Sequence, residues 1–345
     1  MQIDAIDLGK EGSLEMQLKQ EDSFVCYSSP GEVQFRLIQG KVSEITLDQI
    51  PEVPGFIISR FHNDNKAFFI QNDLNLLNPN FEFKVTANPN PIEMSKRDYL
   101  EICTNYIERC DIDLEKIILS RVSSAPYKSN PEKIFHALRE SYPNAFVYLI
   151  HSPQFGTWLG ATPEKLLVRK NTCFSTMALA GTKSIESAAE WTEKERHEQH
   201  LVTAYISQQL NKLGIHYDAK GPFDLQAGNV VHLCTTFEFS TDLKREKIID
   251  SLHPTPAVCG MPRELAKRVG KSAEPHDREL YCGFLGPINQ KGTDDLFVNL
   301  RCIKLGVDRI YFYAGGGITK DSVPEEEWRE TKMKVATILG VVEKL

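Results

Sequence analysis

Residues 156–182 read GTWLGATPEKLLVRKNTCFSTMALAGT, one strand-like apolar run after another with no helical period between them. Such runs must pair sideways, because an extended segment leaves its N–H and C=O groups unsatisfied until a neighbouring strand takes them. Further candidates surround this stretch. "EVQFRLI" and "GFIISRF" precede residue 92, and "KIILSRVSSAP" begins at Lys116. "AFVYLIHSP" begins at Ala145, "GNVVHLCTTFEFSTDL" at Gly228, and "LFVNLRCIKLGVDRIYFYAG" at Leu296 reads as a hairpin. Helical periods lie between them: "SKRDYLEICTNYIERCD" capped by Ser95, "NPEKIFHALRESYP", "TEKERHEQHLVTAYISQQLNKLG" from Thr192 to a stop at Gly214, "PRELAKRVGK", and a last helix opened by Pro324. Long strands clustered together with helices between them predict an α+β (α/β) chain with large, mainly antiparallel sheets.

The 345 residues allow one large domain or two ordinary ones, and the Asn/Pro-rich "TANPNPIEM" is the best boundary candidate. A net charge of -7 leaves no global basic field to hold nucleic acid or an anionic membrane. An anionic ligand would therefore need a metal or a local cluster of cations. The eight cysteines are scattered without a C-x-x-C pair, which suits reduced thiols in a cytoplasmic protein. The start "MQIDAIDLGKEG" lacks the features of a signal peptide, and no apolar run approaches the ~18 residues of a membrane span.

Carboxylates gather in two places. In "VPEEEWRETKMK", Glu327, Glu330, Thr331 and Lys334 fall on one helix face, and Glu195 and Glu198 do the same in the long helix. Two such helices would make an oxygen-rich site suited to a hard cation such as Mg²⁺. On spacing alone a solvated charged face is the better reading of the first stretch. Glu164, after Pro163 in "GATPEKL", stands at a turn where a partly buried carboxyl could act as an acid near neutral pH, although an exposed turn glutamate is the commoner case. Lys116 opens an apolar strand, where a lysine either becomes a base by desolvation or snorkels to water. Arg301 and Lys334 are candidate carboxylate grips. "AGGGI" (314–318) offers unblocked backbone N–H groups, or else a glycine-rich tight turn. His197, His200 and His253 match no zinc pattern and read as ordinary polar or packing residues.

Together, "GATPEKLL", "LAGT", "EKERHEQHLV", "LHPTPAVCGMPREL", "DRELYCGFLG", "VNLRCIKL", "AGGGI" and "EEEWRETKMK" occur in the order found in chorismate-utilising enzymes, the family of anthranilate synthase component I. The resemblance covers roughly residues 95 to 343. It implies two large antiparallel sheets packed together, helices outside, and a chorismate site in the cleft between them. Residues 1–92 would be a variable N-terminal part of the same fold, and 93–345 the catalytic region. It also implies Mg²⁺ held by Glu198 and Glu330, with Glu195 and Glu327 nearby through water. Gly181, Arg301, Gly315, Gly317 and Lys334 match positions around the substrate's carboxylates, and Tyr281 matches one that often faces substrate.

Two positions bear on which member this resembles. Ammonia-adding members carry Gln where this chain has Lys116, and "TGAPK" where it has "CGMPR"; Lys suits water addition, since water needs a base. Salicylate synthases tend to have Thr at Ala257. The resemblance therefore points to isochorismate synthases, with Lys116 as base, Glu164 as acid, and no glutamine amidotransferase subunit. A menaquinone role is expected from how widespread it is, with a siderophore role, a salicylate synthase or a silent chorismate-binding protein as alternatives. Departures from the family pattern are Glu195 and Gln199 in "EKERHEQHLV", a short segment before Glu193, and "AGGGI" in place of "AGAGI".

Overall fold

A computed structural model describes residues 6–7, 16–85, 89–186, 190–227 and 230–345. The first three residues of the Asn/Pro-rich "TANPNPIEM", 86–88, lie outside them. Among the described residues two large sheets dominate, as the strand-rich sequence requires. The first has ten strands, in the order Ile6–Asp7, Leu74–Leu77, Arg36–Gln39, Phe24–Ser28, Phe146–Ser152, Gly156–Thr162, Cys302–Leu305, Arg309–Ile318, Lys116–Pro126 and Gly260–Met261. The second has nine, in the order Tyr217–Ala227, Val230–Ser240, Cys173–Ser184, Lys165–Lys170, Thr293–Val298, Phe284–Ile288, Gly55–Ser59, Lys66–Gln71 and Val42–Thr46. Pairing is antiparallel throughout both, apart from the short parallel contact of Ile6–Asp7 with Leu74–Leu77. The N-terminal strands thus extend both sheets.

The period-2 alternation of strand side chains explains how the sheets stack. Val25, Tyr27, Phe146, Tyr148 and Ile150 face the second sheet and share one core with Phe56, Ile58, Phe284 and Phe297. Their neighbours Phe24, Cys26, Val147 and Leu149 point the other way, into a second core. Phe146 and Phe297 stack across the sheet–sheet gap at 4.2 Å, an offset aromatic contact worth about 0.5–1.5 kcal/mol beyond its buried area.

Among the described residues six helices cover the outside: α1 (Lys96–Cys110), α2 (Pro131–Ser141), α3 (Glu193–Lys212), α4 (Arg245–Leu252), α5 (Arg263–Ala273) and α6 (Pro324–Val342). Ser95 caps α1 by accepting a hydrogen bond from the Asp98 N–H at 3.2 Å. The second core is closed by Ile134, Phe135 and Leu138 of α2 and by Ile338, Val341 and Val342 of α6.

Three sequence readings change. The apparent hairpin from Leu296 is three strands: Thr293–Val298 belongs to the second sheet, and only Cys302–Leu305 and Arg309–Ile318 pair with each other. The edge strand Tyr217–Ala227 escaped detection because most of its residues are exposed and Gly221–Pro222 interrupts it, so no apolar period marks it. The short α4 was also missed; its eight residues carry only two turns of period.

Candidate active site

Two of the chain's crossings between the sheets lie side by side. Pro163–Glu164 carries it from Gly156–Thr162 to Lys165–Lys170, and Asn299–Arg301 carries it back from Thr293–Val298 to Cys302–Leu305. The crossings are laced together. The Val298 N–H donates to the Glu164 carbonyl at 2.9 Å, and the Ala161 N–H donates to the Arg301 carbonyl at 3.1 Å. Arg301 turns through the left-handed region at φ +47, a conformation a non-glycine residue adopts only where its surroundings impose it. This lacing sets an acid and a cation side by side in the gap between the sheets. Glu164 is 2% exposed. Burial pushes its carboxyl from the ordinary value near 4.5 up to about 8, against the opposing pull of Arg301 and Lys116.

Lys116 enters the same gap as the first residue of its strand, and it is 2% exposed. Its Nζ lies 3.1 Å from Glu198 Oε2. The chain therefore buries this lysine rather than letting it snorkel. Room for it comes from the glycines. In "AGGGI" the backbone is a straight strand, not a tight turn, and its three glycines are needed for close approach from both faces. A Cβ on Gly317 would lie 2.5 Å from Lys116 Cε, and one on Gly316 would lie 3.1 Å from Glu327 Oε2. Past Tyr313 the neighbouring strand Cys302–Leu305 ends, so the glycine backbone has no strand partner on that side among the described residues.

Two helix N-termini bring the carboxylates. Thr192 and Glu195 form a capping box at the start of α3, with the Thr192 N–H donating to Glu195 Oε2 at 2.8 Å. One oxygen of Glu195 is thereby spent on its own helix. Glu198 stands one turn further on, facing Lys116. On α6, Pro324 and three acids fill the first turn, as the helix dipole favours. Each carboxylate beyond the cap has its own lysine: Glu198 with Lys116, Glu327 with Lys194 at 2.6 Å, and Glu330 with Lys334 at 2.5 Å. Burial and the neighbouring Glu330 raise the Glu327 carboxyl, against Lys194. Burial works upward most strongly on Glu330 too, but Lys334, Lys194 and Lys116 together outweigh it and hold that carboxyl below its ordinary range. Lys334 also donates to the Gly315 carbonyl at 2.8 Å.

The cavity among these groups is about 90 Å³, and Lys116, Glu164, Gly181, Lys194, Glu195, Glu198, Arg301, Gly315, Gly317, Glu330 and Lys334 line it together with Ile118, Leu179, Ala257 and Leu300. Of the residues picked from sequence, ten therefore meet in one cleft. The other two stand behind its wall. Tyr281 does not line the cavity: it is 4% exposed, and its hydroxyl lies 3.0 Å from where a Cβ of residue 315 would sit. It backs the glycine strand, where glycine leaves the space that the ring occupies. Glu327 is buried at 1% with Oε2 lacking a hydrogen-bond partner.

Two titratable lining residues, Lys194 and His232, were not picked from sequence. Lys194 looked like one member of an alternating charge run. His232 sits inside an apolar strand, with no local signal at all. Burial, helped by Arg301, pushes its pKa down to about 3, so the ring is neutral. With Nδ1 2.8 Å from the Gly181 carbonyl, the proton belongs on Nδ1, which leaves Nε2 to accept from Arg301 Nη2 at 3.4 Å.

The donors present suit a hard cation. They are carboxylate oxygens, one of them a buried orphan at Glu327. No three His, Cys, Asp or Glu side chains among the described residues converge into a ready-made metal cage. Mg²⁺ does not need one, since it is commonly held by one or two carboxylates plus water and substrate oxygens. Glu198 and Glu330 line the same cavity and fit that mode.

A pair of substitutions tests the glycine strand. Gly317→Ala is expected to destabilise by about 1–3 kcal/mol and to displace Lys116, as overpacked sites do. Gly340→Ala on α6 meets nothing within 4 Å and is expected to stabilise by about 0.5–1 kcal/mol. Thermal melting of both variants measures this; equal shifts would mean that Lys116 gives way at no cost.

Residues 62–343 match the family model described as chorismate binding enzyme. The chain belongs to that family. It is 32% identical over 244 residues to isochorismate synthase EntC of Escherichia coli strain K12, covering 66% of this chain and 62% of that protein. It is 30% identical over 250 residues to isochorismate synthase MenF of the same strain, covering 69% and 57%. The matches thus span less than two thirds of these relatives' own length. Among solved structures, a 2,3-dihydroxybenzoate-specific isochorismate synthase, DhbC, from Bacillus anthracis superposes with TM-score 0.79 at 23% identity, over 94% of this chain and 97% of that one. Anthranilate synthase component I from Streptococcus pneumoniae gives 0.70 at 18%, over 96% and 94%. Both share the fold. No described helix is long and apolar enough to cross a membrane.

Proposed function

We propose that the protein is a Mg²⁺-dependent isochorismate synthase, an isomerase that adds water at ring carbon 2 of chorismate and removes the hydroxyl at carbon 4. The observation that carries this reading is a buried lysine and a buried carboxyl, which burial raises to about 8, lining one small cleft together with Arg301 and Lys334. The names of the similar enzymes support the same reading.

Arg301 and Lys334 would grip the substrate's carboxylates and hold the ring between the sheets, where Ile118, Leu179 and Leu300 exclude water. Lys116 Nζ would take a proton from a water as its oxygen bonds to carbon 2. Glu164 would give its proton to the departing 4-hydroxyl, so one water is gained and one lost and the mass is unchanged. Solvent would then return the proton from Lys116 to Glu164. When bound between Glu198 and Glu330, Mg²⁺ would neutralise the ring carboxylate, with Glu195 and Glu327 close by.

The free thiols of the described cysteines fit a cytoplasmic setting, and Lys116 in place of glutamine fits an enzyme with no amidotransferase subunit. We assign the product to menaquinone formation, with a siderophore as the alternative destination.

The test is incubation with chorismate, with Mg²⁺ or with EDTA, followed by chromatography with mass detection. An isomer of unchanged mass is expected with Mg²⁺ and none with EDTA. Salicylate with pyruvate would replace this reading by salicylate synthase, and metal-dependent binding without turnover by a silent binder.

A further inference from the structure

The strand that carries Lys116 is short of a partner. Along its outer edge the two-residue strand Gly260–Met261 pairs only with Lys116 and Ile117. Beyond them the edge would be bare, yet its polar groups stay satisfied in an alternating series. The Ile118 N–H donates to the Cys259 carbonyl at 3.0 Å. The Ile118 carbonyl accepts from Arg278 Nη2 at 2.8 Å. The Ser120 N–H donates to Glu274 Oε1 at 2.8 Å, and its hydroxyl to Glu274 Oε2 at 2.8 Å. A guanidinium donor and a carboxylate acceptor thus occupy the places that a strand's N–H and C=O would fill.

The two side chains are locked to each other. Arg278 reaches both Glu274 oxygens, through Nε at 2.8 Å and Nη2 at 2.6 Å, and its guanidinium lies 4.4 Å from the centre of the Phe61 ring. Both are nearly fully buried, at 2% and 3% side-chain exposure. The remaining nitrogen, Nη1, donates to the Val258 carbonyl at 2.9 Å. Val258 follows Ala257, which lines the cleft, and Ile118 lines it too. One side chain therefore ties the backbone beside Ala257 to the backbone two residues from Lys116.

We propose that Arg278, held by Glu274, is a positioning residue: it stands in for the missing strand and fixes the separation between Lys116 and the Ala257 loop across the cleft. It touches neither substrate nor reacting atoms. The proposal rests on the chorismate reading for its kinetic consequence. A planar fork is required, because four hydrogen bonds leave in fixed directions from one group; a lysine ammonium keeps the charge opposite Glu274 but cannot reach both carbonyls and both carboxylate oxygens.

The experiment compares Arg278→Lys with the parent protein. Turnover is expressed per chorismate site counted by titration calorimetry, so that unfolded protein does not enter. Arg278→Lys is expected to lose about ten- to a hundredfold in kcat per site, the scale of a misplacement near 1 Å, with KM changed by less. Phe61→Leu, which removes only the stacking ring, is expected to lose less in the same direction and decides the matter where Arg278→Lys does not fold. Full kcat per site in the folded variant, with only a lowered melting temperature, would overturn the proposal and leave Arg278 as a pin for stability. Amide hydrogen exchange at Ile118 and Ser120 gives a readout independent of turnover, and it should quicken in Arg278→Lys. Were the parent itself inert towards chorismate, the functional reading would fail, and unchanged exchange at those two amides would sink the brace as well.

Discussion

Lys116→Ala is expected to lower turnover of chorismate by about 10²- to 10⁴-fold, the range for losing a positioned base, while the substrate still binds. The expectation follows from where the side chain is placed. Lys116 is buried at 2% in the cleft wall, with its Nζ against Glu198 and its Cε in the space that Gly317 leaves open. The carboxylate grips, Arg301 and Lys334, come from other elements and do not depend on it. Binding and chemistry should therefore separate in a calorimetric titration set beside a rate assay. The loss of Lys116 also frees the Glu198 oxygen that it contacts at 3.1 Å, so Mg²⁺ binding should not weaken. Near-normal turnover in the variant would mean that another group activates the water, and the base assignment would be wrong.

The parts of the molecule that sequence reveals are those whose physics is local. Periodicity found α3 and α6, and the i, i+3 spacing of Glu195/Glu198 and Glu327/Glu330 correctly placed each pair on one face. Ordered motifs then identified the family, which the family model's match over residues 62–343 bears out. What sequence could not give was depth. Nothing in "GATPEKL" tells that Glu164 stands at a crossing between sheets rather than at an exposed turn. That follows only from the pairing of Gly156–Thr162 with Cys302–Leu305 and of Lys165–Lys170 with Thr293–Val298. The neighbouring crossing, Asn299–Arg301, splits the expected hairpin. Tyr281 and His232 show how depth escapes the sequence in both directions. A residue matched to a substrate-facing position lies behind a glycine, and one inside an apolar strand lies in the cleft wall. Likewise the lysine assigned to each carboxylate is a matter of tertiary approach across 82 to 133 positions for Lys116–Glu198 and Lys194–Glu327, and only Glu330–Lys334 is a helical pair.

Glu164→Gln is expected to cost about 10²- to 10⁴-fold in turnover and, at the same time, to make the protein more stable above pH 5. Both consequences come from one displaced equilibrium. Burial holds the folded-state value near 8, against about 4.5 in an unfolded chain. As an acid, Glu164 works only while protonated, so activity should fall as pH rises through about 8. The stability consequence has the opposite partner. Below about pH 4.5 the carboxyl is neutral in both states and adds no pH dependence. Between about 4.5 and 8 the unfolded chain releases the proton and the folded one keeps it, so stability is lost steadily with rising pH. Glutamine has no proton to release. The variant's advantage in melting temperature should therefore be near zero at pH 4, grow up to pH 8, and level off beyond it. Thermal melts at pH 4, 6 and 8 read this directly, and a pH–rate profile reads the catalytic half. An advantage that stays flat across those three values would show that the folded carboxyl ionises as an exposed one does, and Glu164 could not then serve as the proton donor at neutral pH.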